Sequence, residues 1–293
     1  MTTLDRSGLK ASPANYEDFL ASVVVPRWAE WPQPAGLAGG NWPWRIKFWS
    51  GGTSPSSRGC GLNSINNDPD TSESQIYSNY GYKIGNTSLR SPVTQNADDT
   101  FTITSRPILS AEADAVATLD NGGMRTRPKY LSGMLASDFK GFGLWEIRVR
   151  YATKAPGDWL GIYLQTPPSC PRNEIDYEVV ACDPTQLNLN VQSELDAWYG
   201  VKPRSSAPTK FTHDTTTFKN YQILRTHEQI VFAIDDQVVR TVGAGHGCYL
   251  PMQLVVNLAK DGGWNAGNTP PSIGDGTETS SIDLDFIKFW EMK

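Results

Sequence analysis

Along Asn173-Glu174-Ile175-Asp176-Tyr177-Glu178-Val179-Val180, three acidic side chains alternate with apolar or aromatic ones. In a β-strand, successive side chains point to opposite faces, so Glu174, Asp176 and Glu178 would line one wall while Ile175, Tyr177 and Val179 line the other. Like charges this close raise one another's pKa, so one carboxyl holds a proton at neutral pH while another is ionised. An acid beside an ionised nucleophile is the pair a glycosidase uses. With a rise of ~3.3 Å per residue the Cα atoms of Glu174 and Glu178 lie roughly 13 Å apart. Leaning together across Asp176, their carboxyls would approach to within ~5–6 Å, which suits direct attack on a sugar and retention of configuration; inversion needs about 6.5–9.5 Å to admit a water. The alternative is a solvated acidic face on an antiparallel strand.

The elements that would hold these residues are strands. Gln75–Tyr80, Thr100–Thr104, Gly133–Ser137, Gly143–Tyr151, Trp159–Gln165, Glu174–Val180, Gln186–Val191, Phe218–Arg225 and Gln229–Ile234 carry period-two or short β-rich patterns. Met252–Leu258 and Ile282–Trp290 follow. Asp235-Asp236, between Ile230–Ile234 and Val238-Val239, reads as a hairpin turn. The spacing predicts a short helix around Asn15–Ala21 and little other helix. A dozen or so antiparallel strands, with no repeat and no linker, imply a single domain built as a two-sheet sandwich of jelly-roll type.

Composition sets the limits. Among 293 residues, 26 are glycine and 20 proline, and only 19% are charged, so the surface depends on neutral polar groups. A net charge of −5 gives no basic footprint for nucleic acid. No apolar run approaches the ~18 residues of a transmembrane helix, and the start lacks the charged-then-apolar pattern of an export signal. An exported protein would have had its signal removed or would leave its cell by another route, such as lysis. Cys60, Cys170, Cys182 and Cys248 allow three pairings; a Cys170–Cys182 bridge is disfavoured if the two flank one extended strand, since Cα atoms more than ~7 Å apart cannot be joined. Their spacing fits no zinc site, and only His213, His227 and His246 are present, so catalysis is expected without a metal. Trp28, Trp31, Trp42, Trp44 and Trp49 form either a sugar-stacking platform or part of the core. No Gly-x-Ser-x-Gly motif supports a serine hydrolase.

Glu174-Ile-Asp176-Tyr-Glu178 matches the Glu-x-Asp-x-Glu signature of glycoside hydrolase family 16, and further segments resemble that family in the expected order. These are Glu73-Ser-Gln75-Ile-Tyr77, Asp99–Thr104, Tyr130–Ser137 with Phe142–Glu146, Phe218–Tyr221, the Asp235-Asp236 hairpin, Met252–Asn257 and Asp285–Phe289. The resemblance spans about residues 70–293, leaving residues 1–70 as a divergent extension packed on the same domain. It implies an all-β, concanavalin-like jelly-roll sandwich of two antiparallel sheets. It also implies that Glu174 is the nucleophile, Glu178 the general acid/base and Asp176 their electrostatic assistant, acting on an extracellular polysaccharide; a monomer is the default expectation for an endo-enzyme that admits a long polymer into an open cleft.

Members of that family with an extra residue between Asp and the second Glu have a bulged strand; this chain has none, which tilts the expected substrate toward a β-1,3-1,4- or β-1,4-linked glucan. Trp159, Tyr163, Asn188, Asn190 and Trp264 are candidate sugar contacts, with Tyr163 standing where relatives often have a stacking tryptophan. The unmatched stretch Ala197–His213 bears on specificity. Arg172 and Lys260 would serve an acidic bacterial exopolysaccharide, the other substrate class considered. Asp285 matches the position of a structural calcium ligand in relatives. A transglycosylase using the same residues and a non-catalytic lectin-like protein are the competing functions.

Overall fold

The computed structural model describes residues 2–17, 44–46, 75–77, 83–84, 87–88, 92–98, 100–112, 130–155, 157–166, 173–180, 186–193, 208–243, 249–260 and 279–293. The four cysteines, Trp28, Trp31, Trp42, Trp49, Arg172 and Trp264 lie outside them, as does the side chain of Trp44.

Short strands come first: β1 (Asn15–Glu17), β2 (Trp44–Ile46), β3 (Gln75–Tyr77), β4 (Lys83–Ile84), β5 (Thr87–Ser88) and β6 (Val93–Gln95). The central ones are β7 (Phe101–Pro107), β8 (Tyr130–Ser132), β9 (Met134–Lys140), β10 (Gly143–Thr153), β11 (Asp158–Gln165), β12 (Asn173–Val180) and β13 (Gln186–Ser193). The chain ends with β14 (Pro208–Lys210), β15 (Lys219–Arg225), β16 (Gln229–Ile234), β17 (Gln237–Gly243), β18 (Met252–Lys260) and β19 (Ser280–Glu291). They form two sheets. One runs β17-β16-β15-β10-β19-β7-β8-β3, with β1 on β19 and β6 on β7; the other runs β14-β13-β12-β11-β18-β9-β2. Pairing is antiparallel except between β3 and β8, and β4 and β5 make a separate small hairpin. This is the two-sheet sandwich expected from the alternation.

Where the alternation is strict, the strand assignment follows from it. On β12, Ile175, Tyr177 and Val179 are fully buried against the facing sheet, where they join Trp145, Tyr221 and Phe232 in one core cluster. At the β16–β17 hairpin both turn residues have positive φ, 49° at Asp235 and 62° at Asp236, the geometry of a two-residue primed turn that aspartate tolerates.

One expectation is corrected. Residues 15–17 are strand rather than the start of a helix over Asn15–Ala21: they pair antiparallel with Ile287–Phe289 of β19, and the Ala14 amide donates to the Phe289 carbonyl at 2.7 Å. The part of β19 that runs beyond its pairing with β7 offers these residues backbone partners that a short isolated helix lacks.

The segment before β1 covers the outer face of the larger sheet. Leu4 and Leu9 bury against Leu144, Leu224 and Val231, and Arg6 reaches over them to Glu146 at 2.6 Å and Asp236 at 2.5 Å. Gln222 donates to both carboxylates, and the Trp290 indole donates to Glu146. Burial of Asp236 favours its neutral form, but the hydrogen bonds from Arg6 and Gln222 and the charge of Arg6 outweigh it and hold the carboxyl below its usual range.

The two sheets are also joined by hydrogen bonds at the acidic strand. The Tyr177 hydroxyl, on its core face, donates to Ala233 O at 2.7 Å and lies 3.2 Å from Gln222 O, both in the facing sheet. From that sheet the Tyr151 hydroxyl donates back to Val179 O at 2.8 Å. Burial pushes the Tyr177 hydroxyl well above its usual range, so it is a donor at neutral pH. Tyr177→Phe keeps the ring contacts with Tyr221 and Phe232 but removes this donor. It is expected to cost about 1–3 kcal/mol, the penalty for leaving a buried acceptor unsatisfied, read as a lower urea midpoint at unchanged slope.

Candidate active site

The register across the seven-stranded sheet places side chains in rows that run perpendicular to the strands. Glu178 of β12 lies opposite Gly161 of β11, which lies opposite Asn257 of β18; on the other side Glu178 faces Asn188 of β13. The next row is Val255, Tyr163, Asp176 and Asn190, and the third is Gln253, Gln165, Glu174 and Gln192. Each carboxylate therefore heads its own row on one face, as strand alternation requires. Neither pairing of β12 contains a register shift between Glu174 and Glu178, so the strand is unbulged.

Burial separates the three carboxylates. Asp176 is only 3% exposed, whereas Glu174 and Glu178 on either side remain partly open. The two outer groups are the ones a ligand can reach. The Asn190 amide, on β13, donates to Glu178 Oε2 at 2.9 Å and so fixes the orientation of that carboxyl from the row behind. Directly opposite Glu174, Gln165 is buried and its Nε2 has no hydrogen-bond partner among the described residues.

Of the other residues singled out from the sequence, Tyr163 stands beside Asp176 and packs on Met134 and Val255, keeping part of its ring accessible. Asn188 stands beside Glu178. Trp159 is on the same face of β11 but only 6% exposed. Lys260 ends β18 opposite Asp158, at the far end from the Glu174 row. Asp285 lies on the other sheet, where its carboxylate accepts from Arg148 Nε at 2.7 Å. For a calcium ion at Asp285 the fit is poor: a guanidinium already occupies its carboxylate, and among the described residues no three Asp, Glu, His or Cys side chains converge.

Gly161, Gln165, Gln253 and Asn257 were not apparent as site residues in the sequence. Their types carry no motif, and only the strand order brings them to the carboxylates. Gly161 shows why the register matters. A Cβ built there would fall 2.2 Å from Asn257 Oδ1, so the missing side chain is what lets the Asn257 amide lie over β11 within the row that contains Glu178.

These features describe a β-sandwich that carries three aligned carboxylates on one sheet face, bordered by amides and a tyrosine, the surface of a carbohydrate-active protein. The profile of the Glycosyl hydrolases family 16 matches residues 91–285, and the chain belongs to that family: it is a glycosidase. No curated protein matches the sequence. Among solved structures, the laminarinase catalytic domain from Thermotoga maritima MSB8 is similar at 15% identity, with a TM-score of 0.64 and coverage of 96% of this chain and 98% of that one. The Bacillus licheniformis β-glucanase is 13% identical with a TM-score of 0.58, covering 96% of this chain and 99% of that one. SCLam, a non-specific endo-β-1,3(4)-glucanase of family GH16, is 17% identical with a TM-score of 0.64, covering 99% and 96%. At these identities the likeness is one of fold.

Gly161→Ala is expected to lower kcat/KM, because the new methyl must displace the Asn257 amide, and to cost about 1–3 kcal/mol of stability from overpacking. Adding Asn257→Ala should abolish the stability penalty, and the double variant should be no less active than Asn257→Ala alone. A double-mutant cycle read by denaturation and by kinetics checks this; additive penalties would show that the two residues do not interact.

Proposed function

We propose that this protein is an endo-acting β-glucan hydrolase that works with retention of configuration through a covalent glycosyl-enzyme intermediate. The observation that carries the reading is the arrangement of β12: two accessible glutamates on one face, separated by a buried aspartate, on an unbulged strand.

Glu174 is the nucleophile. Its ionised carboxylate attacks the anomeric carbon as the glycosidic bond breaks, and Glu178 delivers its proton to the departing oxygen. Glu178, now ionised, takes a proton from water, and the resulting hydroxide equivalent attacks the anomeric carbon and releases Glu174. Two inversions give net retention. Asp176, buried between them, lets the two glutamates keep opposite protonation states by its charge and hydrogen bonding. Asn190 holds the Glu178 carboxyl toward the leaving group. The step needs no cofactor and no metal ion.

The favoured backbone is a mixed β-1,3-1,4- or a β-1,4-linked glucan, supported by the unbulged strand and by SCLam, the endo-β-1,3(4)-glucanase of similar fold. A polymer of this kind cannot enter a cell, so the protein acts outside it, as a monomer with an open face. In transglycosylation a sugar hydroxyl would take the place of water in the second step.

Reducing-end release from mixed-linkage glucan, laminarin, xyloglucan and bacterial exopolysaccharides should be seen for the wild type on at least one glucan. In Glu178→Ala, kcat should fall by about 10²–10⁴, the usual contribution of general acid–base catalysis. Proton NMR of the first product should show the β-anomer; an initial α-anomer would mean inversion and would overturn the mechanism. Binding without release by the wild type would favour a lectin-like protein.

A further inference from the structure

We propose that Phe139 forms a remote sugar-stacking subsite, aimed onto the catalytic face by a bulge in β9. Along β9, Leu135 enters the core between the sheets while Met134 lies on the outer face with Val255 and Tyr163. Strict alternation would therefore send Phe139, like Leu135, inward. It does not, because the register slips: Ala136 pairs with Val255, but Phe139 pairs with Gln253, so three steps along β9 match two along β18. An extra residue in one strand reverses the facing of everything after it. The bulge is supported locally, since the Leu254 amide donates to the buried Ser137 hydroxyl at 2.8 Å.

The result is an aromatic ring that is 40% exposed, on the face that carries the carboxylates. It makes no ring contact among the described residues. Phe139 also stands in a particular row. Continuing through Gln253 and Gln165, that row leads to Glu174. Three strand spacings of ~4.8 Å put the ring roughly 14 Å from the nucleophile strand. The spacing between strands is close to the advance of a β-linked pyranose along its chain, so a polymer laid across the sheet meets about one strand per sugar. Gln253 and Gln165, both buried, floor the row between, and Phe139 offers an apolar face to the C–H face of the ring lying over β9. The ligand class is a β-linked glucan long enough to reach three positions from the reacting sugar on the β18 side.

This site deepens the hydrolase reading and rests on it. The test compares wild type, Phe139→Ala and Phe139→Trp on mixed-linkage glucan and laminarin and on trisaccharides of the same linkages. The ratio of kcat/KM on polymer to kcat/KM on trisaccharide should fall roughly two- to tenfold in Phe139→Ala and recover in Phe139→Trp. An unchanged ratio, or no recovery with tryptophan, would overturn the subsite. Native electrophoresis through gels containing each glucan gives a second readout that does not depend on turnover. Wild type should be retarded more than Phe139→Ala, and equal migration would overturn the subsite. A wild type that is retarded but hydrolyses neither glucan would contradict the hydrolase reading while leaving the comparison of the two proteins to decide the subsite.

Discussion

The acidic face depends on one strand having two incompatible sides. β12 carries carboxylates on one face and fully buried Ile175, Tyr177 and Val179 on the other, so a slip of one residue would drive three acids into the core. Hydrophobic burial alone sets which face is in. The hydrogen bonds of Tyr177 and Tyr151 add a fixed position along the strand, because each hydroxyl must meet a particular carbonyl across the sandwich. Glu174 and Glu178 inherit that register, and their spacing is then a property of the backbone rather than of flexible loops.

The facing sheet has its own constraint. β10 and β15 supply Tyr151 and the carbonyl of Gln222, and Glu146 and Gln222 on these strands are buried polar groups that need partners. Arg6 and Asp236 provide them, under the cover of Leu4 and Leu9. The amino-terminal segment therefore closes the outer side of the sheet against which β12 is fixed. Its polar groups act as a set: removing Arg6 would leave Glu146 buried beside an uncompensated charge.

Much of this was legible in the sequence, for identifiable reasons. The alternation in Glu174–Val180 and Gln229–Ile234 and the Asp235-Asp236 turn are local signals, and the structure follows them. The carboxylates are a matter of residue type and spacing on one strand. What was illegible is set between strands. Asn15–Glu17 carries no strong period and becomes a strand by pairing with the end of β19 that β7 leaves uncovered. Gly161 and Asn257 are unremarkable until pairing puts one over the other. Phe139 lies past the predicted strand Gly133–Ser137, and the bulge that turns it outward is visible only as a mismatch between two strands, with Ser137 filling the broken ladder.

The central claim is that Glu174, fixed on β12, makes the covalent bond to the sugar. Incubating the protein with an activated 2-deoxy-2-fluoro-glucan oligosaccharide and digesting it for mass spectrometry tests this directly, because the fluorine slows release of the intermediate. The account predicts one added glycosyl unit on the peptide containing Glu174, localised to that side chain and absent in Glu174→Gln. A label on Glu178 or Asp176, or turnover of glucan with no label at all, would contradict it.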